Sequence, residues 1–408
     1  MLKLGEKIIS DIYLGDKKIA KVFLGDKLVY QAGKPIFLDY IETDGNSYID
    51  TGYCPNENTY IEYDFEVTTK VTTTYAGLFG SRENTTAYPY NVFARASEFR
   101  LDFGRYSDSA TVPYTLNTRY LMKAGLGEIY LNEELVKTYK PVIKQLQYSM
   151  FLGNSNNDGT RYNTGTAQKI YGFKAYENNV LLHDFRPCIH PNGTVCFYDT
   201  VTKKYFYNQG TGTLKAGGRF VESIVSDGNC YINTGIKASY DYTIKTKYMY
   251  TSFVGAYNCI FGTRSEAVSE GNKIYWVGCN STGTKDLMMR MGKTTLPYSL
   301  KLNEVIDLEI TPNEAIINGT NLGDAMFDGE IGFDSNIYLF NINMNIDGST
   351  ALFASVAIMY NFQIYNNNME LIQDLRPYVD ADGVACFKDL VTNTLFYNKG
   401  AGTLTYTE

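Results

Sequence analysis

The amino-acid sequence predicts an all-β protein, two tandem jelly-roll β-sandwiches preceded by a short β-meander, and three observations carry that reading. The first is a long internal repeat. Asp44-Gly45-Asn46-Ser47-Tyr48-Ile49-Asp50-Thr51-Gly52 returns as Asp227-Gly228-Asn229-Cys230-Tyr231-Ile232-Asn233-Thr234-Gly235. Phe79-Gly80-Ser81-Arg82 returns as Phe261-Gly262-Thr263-Arg264, and Phe206-Tyr207-Asn208-Gln209-Gly210-Thr211-Gly212-Thr213-Leu214 as Phe396-Tyr397-Asn398-Lys399-Gly400-Ala401-Gly402-Thr403-Leu404. A segment this long, repeated once with matching ends, is a duplicated domain and not a solenoid of short units. The second is composition: 36 Tyr, 22 Phe and 36 Gly against 10 Pro suit pleated, half-buried surfaces joined by tight turns. The third is period: apolar residues alternate with polar ones, and a helical stripe free of Gly, Asn or Thr breaks is absent.

The elements follow in chain order. Residues 1–34 carry a ten-residue repeat, Leu4-Gly5-Glu6-Lys7, Leu14-Gly15-Asp16-Lys17 and Leu24-Gly25-Asp26-Lys27, with Ile9, Ile19 and Val29 in register. Gly-Asp between β-branched stretches is a two-residue turn signal, because Gly takes the positive φ that such a turn needs at its first central position. The expected structure is a meander of three short strands. Three strands of that length bury too little apolar area to be stable alone, so the segment is expected to dock on a partner or on copies of itself, the alternative being a flap packed on the next domain. Gln31-Ala32-Gly33-Lys34-Pro35 ends the pattern as a linker.

Residues 35–218 form the first large domain and 219–408 the second. Tyr60-Ile61-Glu62-Tyr63-Asp64-Phe65-Glu66-Val67 and Thr243-Ile244-Lys245-Thr246-Lys247-Tyr248-Met249-Tyr250 alternate as strands with one buried face. Turn clusters such as Asn154-Ser155-Asn156-Asn157-Asp158-Gly159 separate such strands, as in a two-sheet sandwich.

The opening Tyr-Ile-Asp/Asn-Thr-Gly, the middle Phe-Gly-Ser/Thr-Arg, and the closing Asp-Phe/Leu-Arg-Pro with Gly-Thr/Ala-Gly-Thr-Leu resemble concanavalin A-like (laminin G-like) lectin domains of phage and gut-bacterial proteins. The likeness covers nearly all of both large domains. The Leu-Gly-Asp-Lys strands are similar to amino-terminal segments of phage structural proteins. This resemblance implies a non-enzymatic virion protein, a head or tail fibre or decoration subunit. It would be assembled with other virion proteins through residues 1–34, as a homo-oligomer and a trimer before other states, and would display domains toward surface glycans. A bacterial surface lectin and a jelly-roll glycoside hydrolase are the alternatives.

Charge and spacing bound the chemistry. A net charge of −7 argues against nucleic acid, whose binding draws on clustered Lys and Arg. No apolar run spans a bilayer, and Met1-Leu2-Lys3-Leu4-Gly5-Glu6 leads into no signal-peptide core, so assembly in a cytoplasm is expected. Seven cysteines show no metal-ligand spacing; Cys196 and Cys386 fall at one repeat position as small buried side chains, and Cys188 has Tyr378 as its counterpart.

Glu62-Tyr63-Asp64-Phe65-Glu66 places three carboxylates on one strand face and resembles the motif of retaining jelly-roll glycosidases. By that resemblance Glu62 would be nucleophile and Glu66 acid/base. The second copy has Lys245, Lys247 and Met249 there, which favours a solvated face. His183 and His190 are the only histidines, accompany no nucleophile elbow, and read as turn or surface residues. Asp44, Asn46, Asp227 and Asn229 could offer oxygens to calcium, but Asp-Gly-Asn is equally a turn signal and no metal or cofactor is expected. Sugar binding needs exposed aromatic faces with a few orienting polar groups, and Tyr88, Tyr90, Arg95, Arg264 and Trp276 are the candidates.

Overall fold

The computed structural model describes residues 3–4, 7–8, 13–14, 17–18, 21–24, 27–31, 34–83, 89–104, 109–141, 145–254, 257–264, 274–280, 287–291, 298–324, 333–343 and 354–408. For 3–31, 274, 280, 287–291 and 324 only the backbone is described. The chain divides into two compact units, Met1–Arg219 and Phe220–Glu408. All regular structure among the described residues is β. No helix there is long and apolar enough to cross a membrane.

The first unit pairs a larger and a smaller antiparallel sheet. The larger runs Glu134–Thr138, Glu128–Leu131, Arg119–Gly125, Thr59–Val67, Ala167–Glu177, Val180–Ile189, Val195–Asp199, Lys204–Phe206. The smaller runs Ala110–Pro113, Glu98–Phe103, Tyr90–Ala94, Ala76–Arg82, Phe151–Leu152, Ile49–Asp50. Strand parity decides what faces inward: Ile61, Tyr63, Phe65 and Val67 are fully buried, while Glu62, Asp64 and Glu66 project from the opposite face. The core is aromatic, with Tyr63 4.6 Å from Phe79 and Phe65 5.4 Å from Phe99 across the sheets. The buried Tyr63 hydroxyl donates to Gln168 Oε1 at 2.8 Å, and Gln168 Nε2 donates to the Leu78 carbonyl at 3.0 Å, so both polar groups cross the core satisfied.

The second unit repeats the architecture. Its larger sheet runs Thr320–Asp324, Glu314–Ile317, Val305–Ile310, Thr243–Ser252, Val356–Tyr365, Leu371–Val379, Ala385–Asp389, Leu395–Phe396. Its smaller sheet runs Ile232–Lys237, Asn336–Leu339, Tyr257–Arg264, Ile274–Asn280, Leu287–Met291. Even the bulge in the strand beside the centre is duplicated, at Tyr171 in Ala167–Glu177 and Tyr360 in Val356–Tyr365.

The repeated sequence motifs prove to be a clasp that ties each unit's opening turn to its closing loop. Asn208 Oδ1 accepts from the amides of Tyr48 (3.1 Å) and Gly210 (2.9 Å), and its Nδ2 donates to the Gly212 carbonyl at 2.7 Å. Asn398 does the same with Tyr231 (3.1 Å), Gly400 (2.9 Å) and the Gly402 carbonyl (2.6 Å). A Cβ at Gly210 would collide with the Asn46 carbonyl, and one at Gly212 with the Asp44 carboxylate. Gly400 and Gly402 face Asn229 and Asp227 in the same way, which is why the Gly-x-Gly spacing recurs.

Residues 1–34 differ from the expected three-stranded meander. Each ten-residue repeat pairs with itself: Lys3–Leu4 with Lys7–Ile8, Tyr13–Leu14 with Lys17–Lys18, and Lys21–Leu24 with Lys27–Gln31, in three separate two-stranded ladders. Because the pairing lies inside each repeat, one period encodes two paired strands and not one.

Candidate functional site

The outer face of the first unit's larger sheet carries the carboxylate trio on one strand, as the sequence predicts, and gives each member a cation. Lys174 Nζ lies 2.9 Å from Glu62, Arg119 grips Asp64 through two bonds of 2.8 and 2.7 Å, and Lys169 lies 2.8 Å from Glu66. Tyr171, at the bulge, donates to Glu66 at 3.0 Å, and the Arg119 guanidinium sits 3.9 Å above the Tyr171 ring. Lys245 takes the place of Glu62 in the second unit and meets Glu309 at 3.0 Å, while Lys247 lies 5.6 Å above the Tyr360 ring. The sign of the charge reverses between copies while cross-strand pairing persists. This face therefore ties neighbouring strands together.

His183 lies within the strand Val180–Ile189, paired with Ala175, and not in a turn, whereas His190 follows that strand and the calcium candidates lie at strand ends and in the turns after them. His183 Nδ1 lies 2.8 Å from Asp199, whose carboxylate also accepts from the amides of Asp184 and Val201 and from Thr202. Asp389 binds Asp374, Val391 and Thr392 equivalently, so the lock belongs to both copies. His190 Nδ1 accepts from the Asn192 amide at 3.1 Å, and burial holds this imidazole below its ordinary pKa. Asp44 accepts from the amides of Asn46, Ser47 and Thr213 and from the Ser47 hydroxyl, and Asp227 from those of Asn229 and Thr403. Those bonds make the turn reading of Asp-Gly-Asn. Among the described residues no three His, Cys, Asp or Glu side chains converge as a metal site.

The sequence-predicted binding residues fall on or beside the smaller sheets, and parity separates them. Tyr88 lies outside the described residues. Tyr90 faces inward: it is 8% exposed, and its hydroxyl donates to the Ala124 carbonyl at 2.8 Å. It also lines a cavity of about 30 Å³, room for one water, so it is a core residue with a satisfied hydroxyl and not an open sugar platform. Arg95 stands beyond the end of the same strand, paired with Glu98, its guanidinium 5.3 Å from the Tyr75 ring centre.

Around Arg95 the outer face of Ala76–Arg82, Tyr90–Ala94 and Glu98–Phe103 gathers rings and guanidiniums that the sequence reading did not single out. Phe93 lies 5.8 Å from Tyr75 and 4.9 Å from Tyr162. Arg82 lies 5.4 Å from the rings of both Phe93 and Tyr162, with Nε donating to Asn157 Oδ1 at 2.8 Å. Arg100 bonds Asp102 at 2.8 Å and the Tyr75 hydroxyl at 2.8 Å, 5.3 Å above the Tyr75 ring. Burial pushes the Asp102 carboxyl above its ordinary pKa against the pull of Arg100 and Arg82. Asn91, opposite Asp102 in the pairing, is fully buried, and neither amide atom has a hydrogen-bond partner among the described residues. Alternation in Glu98-Phe99-Arg100-Leu101-Asp102-Phe103 was the available signal, since its polar positions all lie on this face.

The second unit places Arg264 and Trp276 on the corresponding face. Gly80 pairs with Asn91 and Gly262 with Trp276, so Trp276 takes the position of Asn91. The indole is only 4% exposed, 6.2 Å from Tyr257 and folded over Gly278, where a Cβ would come within 2.6 Å of it. The exposed stacking surface expected of Trp276 is thus corrected: the indole is covered because Gly278 leaves it room to lie against the sheet. Arg264 is half-buried, and its Nε has no hydrogen-bond partner among the described residues.

No family model and no curated protein matches the chain. Among solved structures it is similar to domains LG4-5 of the mouse laminin α1 chain, with 10% identity, 84% of this chain and 92% of that one covered, and a TM-score of 0.28. A protein from Bacteroides ovatus described as carbohydrate binding matches with 10% identity, 93% and 95% coverage and a TM-score of 0.34. A NanB sialidase variant from Streptococcus pneumoniae matches with 9% identity, 90% and 75% coverage and a TM-score of 0.23.

Proposed function

We propose that this chain is a non-enzymatic, lectin-like protein that binds saccharide on the outer face of the first unit's smaller sheet. The observation that carries the proposal is the half-buried surface of Tyr75 and Tyr162 around Phe93, interleaved with Arg82, Arg95 and Arg100. Ring faces cover the apolar side of a sugar while guanidinium N–H groups orient its hydroxyls. Duplication sharpens the choice of site. The clasps, the Asp199 and Asp389 locks and the cross-strand ion pairs recur in both units, whereas Asn91 and Phe93 give way to Trp276 and Gly278. The test is a glycan array with the native chain and with Tyr162→Ala and Arg100→Ala; absence of any saccharide binding by the native chain overturns the proposal.

The reading extends to a phage virion fibre or decoration subunit, a homo-oligomer and a trimer in the first instance, held to other virion proteins through residues 1–34. Its support is the self-paired hairpins of that segment, whose two-residue and slightly longer strands leave edges that need partners. Solution mass of the native chain beside a chain lacking residues 1–34, and peptide mapping of purified virions, test it. Unchanged assembly after truncation, or absence from virions, counts against it.

A further inference from the structure

We infer that the saccharide taken at this face carries a carboxylate, and that Arg82 with Asn91 forms the subsite for it. The inference rests on the saccharide-binding reading above. Of the three guanidiniums on the face, Arg95 is neutralised by Glu98 and Arg100 by Asp102, whereas the hydrogen bond that Arg82 makes goes to the neutral amide of Asn157. Among the described residues, three cations against two carboxylates leave one positive charge on a surface of aromatic rings. That surface excludes water and so strengthens the field of the remaining charge.

Asn91 supplies the second half. Arg82 lies two residues beyond Gly80 on its strand, and Gly80 pairs directly with Asn91, so the two side chains are diagonal neighbours on one sheet face. Gly80 is required there, because a Cβ would run into Asn91 itself. A fully buried amide with neither atom hydrogen-bonded is costly to leave unpaired, and its Nδ2 is a donor of the kind a carboxylate oxygen accepts. A planar carboxylate fits a guanidinium edge in a way that a hydroxyl does not, which makes Arg82 the discriminating group. The second unit lacks the pair, because Trp276 stands where Asn91 would be. The site is therefore assigned to the first unit alone.

The experiment uses the full chain and an array of uronate- and sialate-bearing oligosaccharides printed beside the same oligosaccharides with every carboxylate methyl-esterified. Esterification removes the charge and keeps the ring. The native chain is expected to bind the free acids about tenfold or more tighter than their esters, and to lose that preference in added salt. Arg82→Gln should bind acids and esters alike, while Arg82→Lys, which keeps the charge without the planar fork, should retain part of the preference. Thermal melting of both variants guards against loss of fold, and the acid-to-ester comparison on the native chain stands without any variant. Equal binding of acids and esters, or binding confined to neutral glycans, overturns the carboxylate inference and leaves the saccharide reading standing. Absence of binding to all saccharides overturns both.

Discussion

Replacing Asn398 by Ala removes the centre of the second unit's clasp and should loosen that unit measurably. The side chain makes three short bonds, from the amides of Tyr231 and Gly400 and to the carbonyl of Gly402, which join the opening turn to the closing loop. Each such bond contributes about 1 kcal/mol net, and the backbone groups left behind are partly buried, so a loss of about 2–3 kcal/mol is expected. With a urea slope of about 2–3 kcal/mol per molar, the unfolding midpoint falls by about 1 M. Trp276 is the only tryptophan of the chain and lies in this unit, so its fluorescence reports this transition selectively. Asn398→Asp keeps the acceptor for Tyr231 and Gly400 but turns a second oxygen toward the Gly402 carbonyl, and should be destabilised as well. Asn208→Ala should weaken the first unit, read by far-ultraviolet dichroism. A Trp276 transition that Asn398→Ala leaves unmoved would refute the clasp.

Other outcomes follow from the same structure. Trp276→Ala should lower stability by about 3–5 kcal/mol, as for a core aromatic, with saccharide affinity unchanged; a normal melting temperature with weakened binding would restore it to a site. Asp44 and Asp227 are both held below the ordinary carboxylate range, Asp44 because the bonds from Asn46, Ser47 and Thr213 outweigh the upward push of burial, Asp227 chiefly by the Asn229 amide. Their stabilisation is complete above about pH 4, where aspartates of the unfolded chain are ionised, and is lost as pH falls through the folded-state values; in Asp44→Asn with Asp227→Asn the acid side of the stability profile should flatten. Glu62→Gln should cost less than about 1 kcal/mol, because its pair with Lys174 is half exposed, and neither it nor the native chain should release reducing sugar from a β-glucan. Cys188 and Cys196 sit directly opposite each other with Sγ atoms 3.6 Å apart, so a small-molecule disulfide oxidant should join them with loss of two hydrogens; a fully reduced peptide pair after unfolding in oxidant would contradict this.

The sequence by itself determined the duplication, the β character and the inward parity of the central strands, because period-two alternation and turn residues are local properties that tertiary packing preserves. It also marked Asp44, Asn208, Gly210 and Gly212 as special through their recurrence, without saying that they meet; a side chain 160 or more residues away supplies the partner, and pairing at that range is set by the fold. Residues 1–34 show the limit of local reading, since a ten-residue period fits one strand or one hairpin equally well until the pairing is known. Tyr90 and Trp276 show it for exposure: aromatic type is written in the chain, but Tyr90 was turned inward by strand parity and Trp276 was covered by room left at Gly278. Only the tertiary structure brought Tyr75, Arg82, Phe93, Arg100 and Tyr162 onto one face, because they come from separate stretches of chain that only strand pairing and sheet packing set side by side.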